Sequence, residues 1–321
     1  MVERNKGSDG DWHRDLVEKL AADALVERRR ARRWGIFFKL LTFAYLTFLL
    51  VLLIPKDWSE AAMGTKSHTA LVELEGVIAA GEKASADNVV TGLRDAFEDK
   101  HTKAVVLRIN SPGGSPVQSS DIHKEILRLR EKYPDIPLYA VVSDICASGG
   151  YFVASAADKI YVNESSVIGS IGVLINGFGF VDTIHELGIE RRLMTAGEHK
   201  GILDPFTPLS EFDKAHVAGL LEDLHANFID AVKTGRGDRL KGDDATLFSG
   251  LFWDGNDGIQ LGLADAIGSA GYVAREVVGA EDLVDFTAKE DPLERLADRL
   301  GASAATTFGR LFGVSGGIPL R

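Results

Sequence analysis

Residues 35–54, GIFFKLLTFAYLTFLLVLLI, form an apolar run broken by one charge, Lys39. Twenty residues in a helix rise about 30 Å, the thickness of a bilayer core. Any water-soluble domain must therefore be built from the residues C-terminal to the run. Arg28, Arg29, Arg30, Arg32 and Arg33 come just before it, and arginines on that flank keep it on the cytoplasmic side. Lys39 lies one turn inside the arginine-bearing end, from where a lysine reaches back to the headgroups. A cleaved signal peptide fits less well, because the 34 residues ahead of the run are too many for its charged leader. Ala61 and Ala62 make only a weak cleavage site. A helix buried in a soluble fold would need enclosure on every face. The reading is an uncleaved anchor in the plasma (inner) membrane, with residues 1–34 cytoplasmic and residues 55–321 extracytoplasmic.

Composition narrows the rest. A hydrophobic fraction of 45% with 26% charged residues is that of an ordered globular chain. The net charge of −11 argues against nucleic acid as a partner, since phosphate binding needs basic surface. Cys146 is the sole cysteine, which excludes intrachain disulfides and cysteine-rich zinc sites. No metal or other cofactor is expected.

After a polar linker over 55–68, strand and helix patterns alternate. Strands are expected at 71–78, 104–110, 138–143, 159–163 and 170–175, and helices at 87–100, 117–132, 180–188 and 210–234. A short helix of small residues follows the turn 144–150. Such alternation gives an α/β fold with mostly parallel pairing. Residues 11–33 read as a polar helix leading into the apolar run, and 291–313 as an amphipathic stretch within a C-terminal tail, 281–321.

Two glycine-rich turns close two of the buried strands. The first, Asn110-Ser111-Pro112-Gly113-Gly114, lets backbone N–H groups approach a ligand closely; the same residues would serve a tight strand-to-helix turn. It is neither a dinucleotide fingerprint nor a phosphate loop. The second, Cys146-Ala147-Ser148-Gly149-Gly150, sets a serine on a sharp bend ahead of a helix, the logic of a nucleophile elbow. Taken alone, Ser148 is equally an N-cap serine. A nucleophilic serine needs a base, and none of the eight histidines has a local setting that marks it as one. A lysine serves where enclosure lowers its pKa from about 10.4 towards 7–8. Lys200, in Ala196-Gly197-Glu198-His199-Lys200-Gly201, otherwise reads as a solvated surface charge.

Four motifs in order change that balance: SPGG (111–114), ASGGYFVASAADKIYVN (147–163), IGSIGV (168–173) and AGEHKGILDPF (196–206). Together with GLADAIG (262–268), this run resembles the S49 peptidase family over about residues 69–270. The resemblance implies a ClpP/crotonase-like spiral of ββα units, here a domain over 69–280, and a serine endopeptidase acting on hydrophobic peptides such as signal-peptide remnants. It gives Ser148 the role of nucleophile, Lys200 that of general base, and Ser170 that of orienting the lysine. The amides of Gly114 and Gly149 match the oxyanion hole. It also implies a homo-oligomeric ring in which the serine of one protomer meets the lysine of its neighbour. Cys146 reads as a small packing residue, since a cysteine nucleophile would lack a histidine base. Two other classes stay open on the same fold: a crotonase-like hydratase or isomerase, and a catalytically silent membrane scaffold.

Overall fold

The computed structural model describes residues 8–53 and 66–288, which fall into two units. In the first, α1 runs unbroken from Ser8–Leu53, joining the polar and apolar segments in one helix. Trp34, Phe38, Phe43 and Phe48 are exposed along it. Among the described residues no helix is long and apolar enough to cross a membrane. The expected span 35–54 lies only partly among them, because side chains are described no further than residue 48. Most of the expected linker, and the amphipathic stretch 291–313, lie outside the described residues.

The second unit is α/β. Strand β1 (His68–Glu75) leads to α2 (Ala86–Glu98), β2 (Thr102–Ser111) to α3 (Pro116–Lys132), and β3 (Leu138–Ala147) to the short α4 (Gly149–Ala154). Then come β4 (Lys159–Val162), β5 (Val167–Gly169), α5 (Val181–Glu186) and the long α6 (Glu211–Arg236). The remainder is α7 (Asp244–Leu247), β6 (Phe252–Trp253), α8 (Gly255–Gln260), β7 (Ala266–Ile267), α9 (Ala270–Tyr272), a π-helical turn at Val273–Val278 and β8 (Leu283–Asp285). The helices begin where the sequence caps them. Ser85, Ser115 and Ser210 accept from the backbone N–H three residues on, and Pro116 occupies the first turn of α3.

The described strands form one sheet in the order β6-β5-β3-β2-β1-β8, parallel except at β5–β6. It forks at β3. Tyr139–Val141 pair with β4, which continues to β7, while Ile145–Ala147 pair with β5. The fork parts the far end of β3 from β4 and sets it beside β5.

Both faces are covered. Val89, Leu93, Ala96 and Phe97 make one stripe on α2 and pack with Ile122, Ile126 and Leu129 of α3 over the alternate residues Leu107 and Ile109. On the opposite face Leu71, Val106, Val141 and Tyr161 meet Ala270 and Val273. Arg236 at the end of α6 is buried and paired through both terminal nitrogens with Asp265, at 2.7 and 3.0 Å. Asp265 also accepts from the Ile160 amide at 2.7 Å, so the pair ties α6 to the GLADAIG segment and β4.

One expectation needs correction. The strand read at 170–175 is instead Val167–Gly169, and residues 170–175 carry no regular structure. Gly169 has φ 104° and Ser170 φ 52°, both outside the extended region, so the chain swings off the sheet there.

Candidate active site

The pairing of Ser111 with Cys146 brings the turns after β2 and β3 side by side. Ser111 fastens the first turn: its hydroxyl donates to the Gly76 carbonyl at 2.6 Å and accepts from the Gly113 amide at 3.1 Å. Gly113 touches the second turn so closely that a Cβ on it would stand 2.8 Å from the Ser148 Cβ and 2.7 Å from the Gly149 nitrogen. With φ 100° as well, only glycine fits there.

Ser148 has φ 50° and ψ −122°. Such a conformation costs a non-glycine residue about 1–3 kcal/mol. It occupies the N-cap position of α4, yet its side chain makes no capping hydrogen bond, so the capping alternative does not describe it. Its amide donates to the Gly169 carbonyl at 2.8 Å, and its carbonyl accepts from the Phe152 amide at 2.9 Å. Backbone bonds hold the bend and leave the hydroxyl uncommitted. Cys146 is wholly buried and burial pushes its thiol pKa up, as suits a packing residue rather than a nucleophile.

Ser148, Gly149, Gly114 and Ser170 line one cleft of about 620 Å³. Phe152, Val173, Leu174, Leu224 and Phe228 give it apolar walls, and Ser119, His225 and Ser249 add polar ones. Ser170 is held there by its amide, which donates to the Leu251 carbonyl at 2.7 Å. Four of the five residues singled out from the sequence thus meet around one space.

Lys200 does not line that cleft. It sits on an exposed turn. The His199 Nδ1 is 3.3 Å from an Asp213 carboxylate oxygen, and its ring stacks on Phe212 at 4.2 Å. The turn belongs to a long segment with large apolar side chains in the open: Leu174, Phe178, Leu187, Ile189, Met194 and Leu203 are all exposed, Met194 by 93%.

Sequence reasoning passed over His225. It lines the cleft from α6, and its Nε2 donates to the Ile171 carbonyl at 3.1 Å; in a neutral ring so bonded, Nδ1 is the acceptor. The signal was faint: His225 and Phe228 stand three apart on a helix, as core residues do.

The model of peptidase family S49 matches residues 130–283. A Na(+)/H(+) antiporter of Brucella abortus is 40% identical over 236 residues, 72% of this chain and 31% of that protein. A candidate signal peptide peptidase of Enterococcus faecium is 31% identical over 215 residues, 66% of this chain and 58% of its own. Protease 4 of Haemophilus influenzae is 32% identical over 220 residues, 67% and 35% respectively. The chain therefore spans from under a third to under two thirds of these relatives' lengths.

Proposed function

The chain belongs to peptidase family S49 through residues 130–283, and from that premise we propose that it is a membrane-anchored serine endopeptidase with Ser148 as nucleophile and Lys200 as base. The observation that carries this reading is the strained, uncapped Ser148 at the wall of a cleft with both apolar and polar sides, pressed against the Gly113 turn. A backbone held in so disfavoured a state serves to aim a side chain. The fold we assign is the ClpP/crotonase-like spiral; the forked parallel sheet is compatible with it.

In the reaction Lys200 takes the Ser148 proton as Oγ bonds to the peptide carbonyl carbon. The carbonyl π pair moves to oxygen, where the Gly114 and Gly149 amides stabilise it. The proton then passes to the leaving amine as the peptide bond breaks, and water releases the acyl group by the same route. Ser170, beside the nucleophile, orients the lysine. The lysine comes from a neighbouring protomer in a homo-oligomeric ring. Two features support that arrangement: Lys200 stands outside the cleft of its own chain, and the segment around it exposes apolar side chains that a neighbour would cover.

The substrates are hydrophobic peptides such as signal-peptide remnants, matched by the aromatic and aliphatic cleft walls. Anchoring through residues 35–54 would hold the domain where such peptides gather, on the extracytoplasmic side of the plasma membrane. A second reading has one observation behind it. His225 lines the same cleft with Nδ1 free to accept, so it is the alternative base, within one chain.

A serine-reactive phosphonate tests the proposal. The full chain in detergent should gain the reagent's mass on Ser148, Lys200→Ala should abolish labelling, and His225→Ala should keep it. The reverse order for the last two would transfer the base to His225. An unlabelled Ser148 in the unsubstituted chain would overturn the peptidase mechanism.

A further inference from the structure

Helix α3 turns two polar side chains inward that find no protein partner. Ser119 is fully buried with its Oγ unpaired, and one turn further on His123 is buried with its Nε2 unpaired. Unpaired buried polar groups are destabilising, and native structures keep few without cause. The two differ in what they face. His123 meets the edge of the Phe152 ring, with centroids 5.1 Å apart. Ser119 lines the cleft beside Ser148, Gly149 and Gly114.

Its position there is specific. The Ser119 Oγ occupies the space that a Cβ on Gly149 would need, and that same point lies 3.2 Å from the Gly114 nitrogen. The hydroxyl thus packs against Gly149, whose amide the proposed mechanism uses, in the cleft that Gly114 also lines. A hydroxyl hydrogen rotates to suit its acceptor, so one without a protein partner is ready for an acceptor delivered by a ligand.

We infer that the Ser119 hydroxyl is a third hydrogen-bond donor to the carbonyl oxygen of the peptide under attack, alongside the Gly114 and Gly149 amides. The inference rests on the Ser148 peptidase reading and adds a substrate-touching group to it. Ser119 forms no covalent bond and keeps its proton; it donates a hydrogen bond to an oxygen whose charge rises as the Ser148 bond forms. Donors aimed at developing charge act on the transition state more than on the bound peptide.

The test compares the full chain with Ser119→Ala on a fluorogenic hydrophobic peptide amide, in detergent. The expected result is a kcat lower by about 100- to 1,000-fold with KM changed less than about twofold. Affinity for a peptide aldehyde, whose adduct on Ser148 carries the oxygen anion, should fall with kcat. The melting temperature should stay or rise, because the substitution removes an unpaired buried hydroxyl. An unchanged kcat would overturn the inference. So would a slower enzyme whose melting temperature falls in step, or a loss confined to KM, since these mark a structural or ground-state role. Phosphonate labelling of Ser148 in the unsubstituted chain separates the two levels: if it fails, the peptidase reading falls and takes this inference with it.

Discussion

Ser148 and Ser170 stand at the ends of two paired parallel strands, each with its backbone twisted to positive φ, 50° and 52°. The Ser148 amide reaches across to the Gly169 carbonyl at 2.8 Å, so the bend that exposes one serine is bonded to the bend that turns the other off the sheet. The pairing of Ala147 with Gly169 sets both in register. This relationship delivers two hydroxyls to one cleft.

Strain at Ser148 should show as a trade of stability against activity. Ser148→Gly is expected to abolish peptide hydrolysis while raising stability by about 1 kcal/mol, the relief of positive φ offset by glycine's greater freedom when unfolded. Urea unfolding of the two proteins measures it. A less stable glycine variant would mean that the bend is not strained.

Contact between the two turns should be intolerant of any side chain. Gly113→Ala places a methyl 2.8 Å from the Ser148 Cβ in a backbone state that disfavours alanine. We expect a loss of about 2–3 kcal/mol and the loss of phosphonate labelling at Ser148. Normal labelling of the variant would show that the turns do not position one another.

The sequence carried the turns better than their surroundings. Small residues after buried strands marked 111–114 and 146–150, because only such residues let two backbones meet. The strand expected at 170–175 lies wholly earlier, at Val167–Gly169, because Ile171 and Val173 carry an apolar pattern onward while the φ values of Gly169 and Ser170 end the strand. His225 escaped notice because nothing local marks it; only the packing of α6 beside the cleft brings it there. Ser119 reads as an ordinary helix residue until the chain folds against Gly149. Lys200 was read through resemblance, and within one chain it remains exposed.

Buried ion pairing should make Asp265 a stability residue remote from the site. Asp265→Asn leaves the Arg236 guanidinium buried without its countercharge. A loss of about 3–5 kcal/mol is expected, read as a lower urea midpoint. A change within about 0.5 kcal/mol, the range of an ordinary surface substitution, would show that the pair does not tie α6 to β4.

Acid should weaken the fold through His123. Burial, aided by the neighbouring Lys124 charge, lowers its pKa to about 4 from 6.5. The unfolded chain therefore binds the proton more readily than the folded one. Stability is fully present above about pH 6.5 and falls as the pH drops towards 4, by about 3 kcal/mol. Urea midpoints across that range should flatten by this amount in His123→Leu. An unchanged acid slope in the variant would contradict the assignment.

We propose that Ser148 of one protomer works with Lys200 of the next, and complementation between dead variants decides it. Ser148→Ala and Lys200→Ala chains, each inactive alone, are co-expressed with different tags and recovered as mixed oligomers. In a closed ring with random mixing, about one quarter of the junctions join an intact Ser148 to an intact Lys200. Activity near that fraction of the unsubstituted protein is expected of a shared site. No recovery in oligomers proven to be mixed would contradict it and confine the catalytic pair to a single chain.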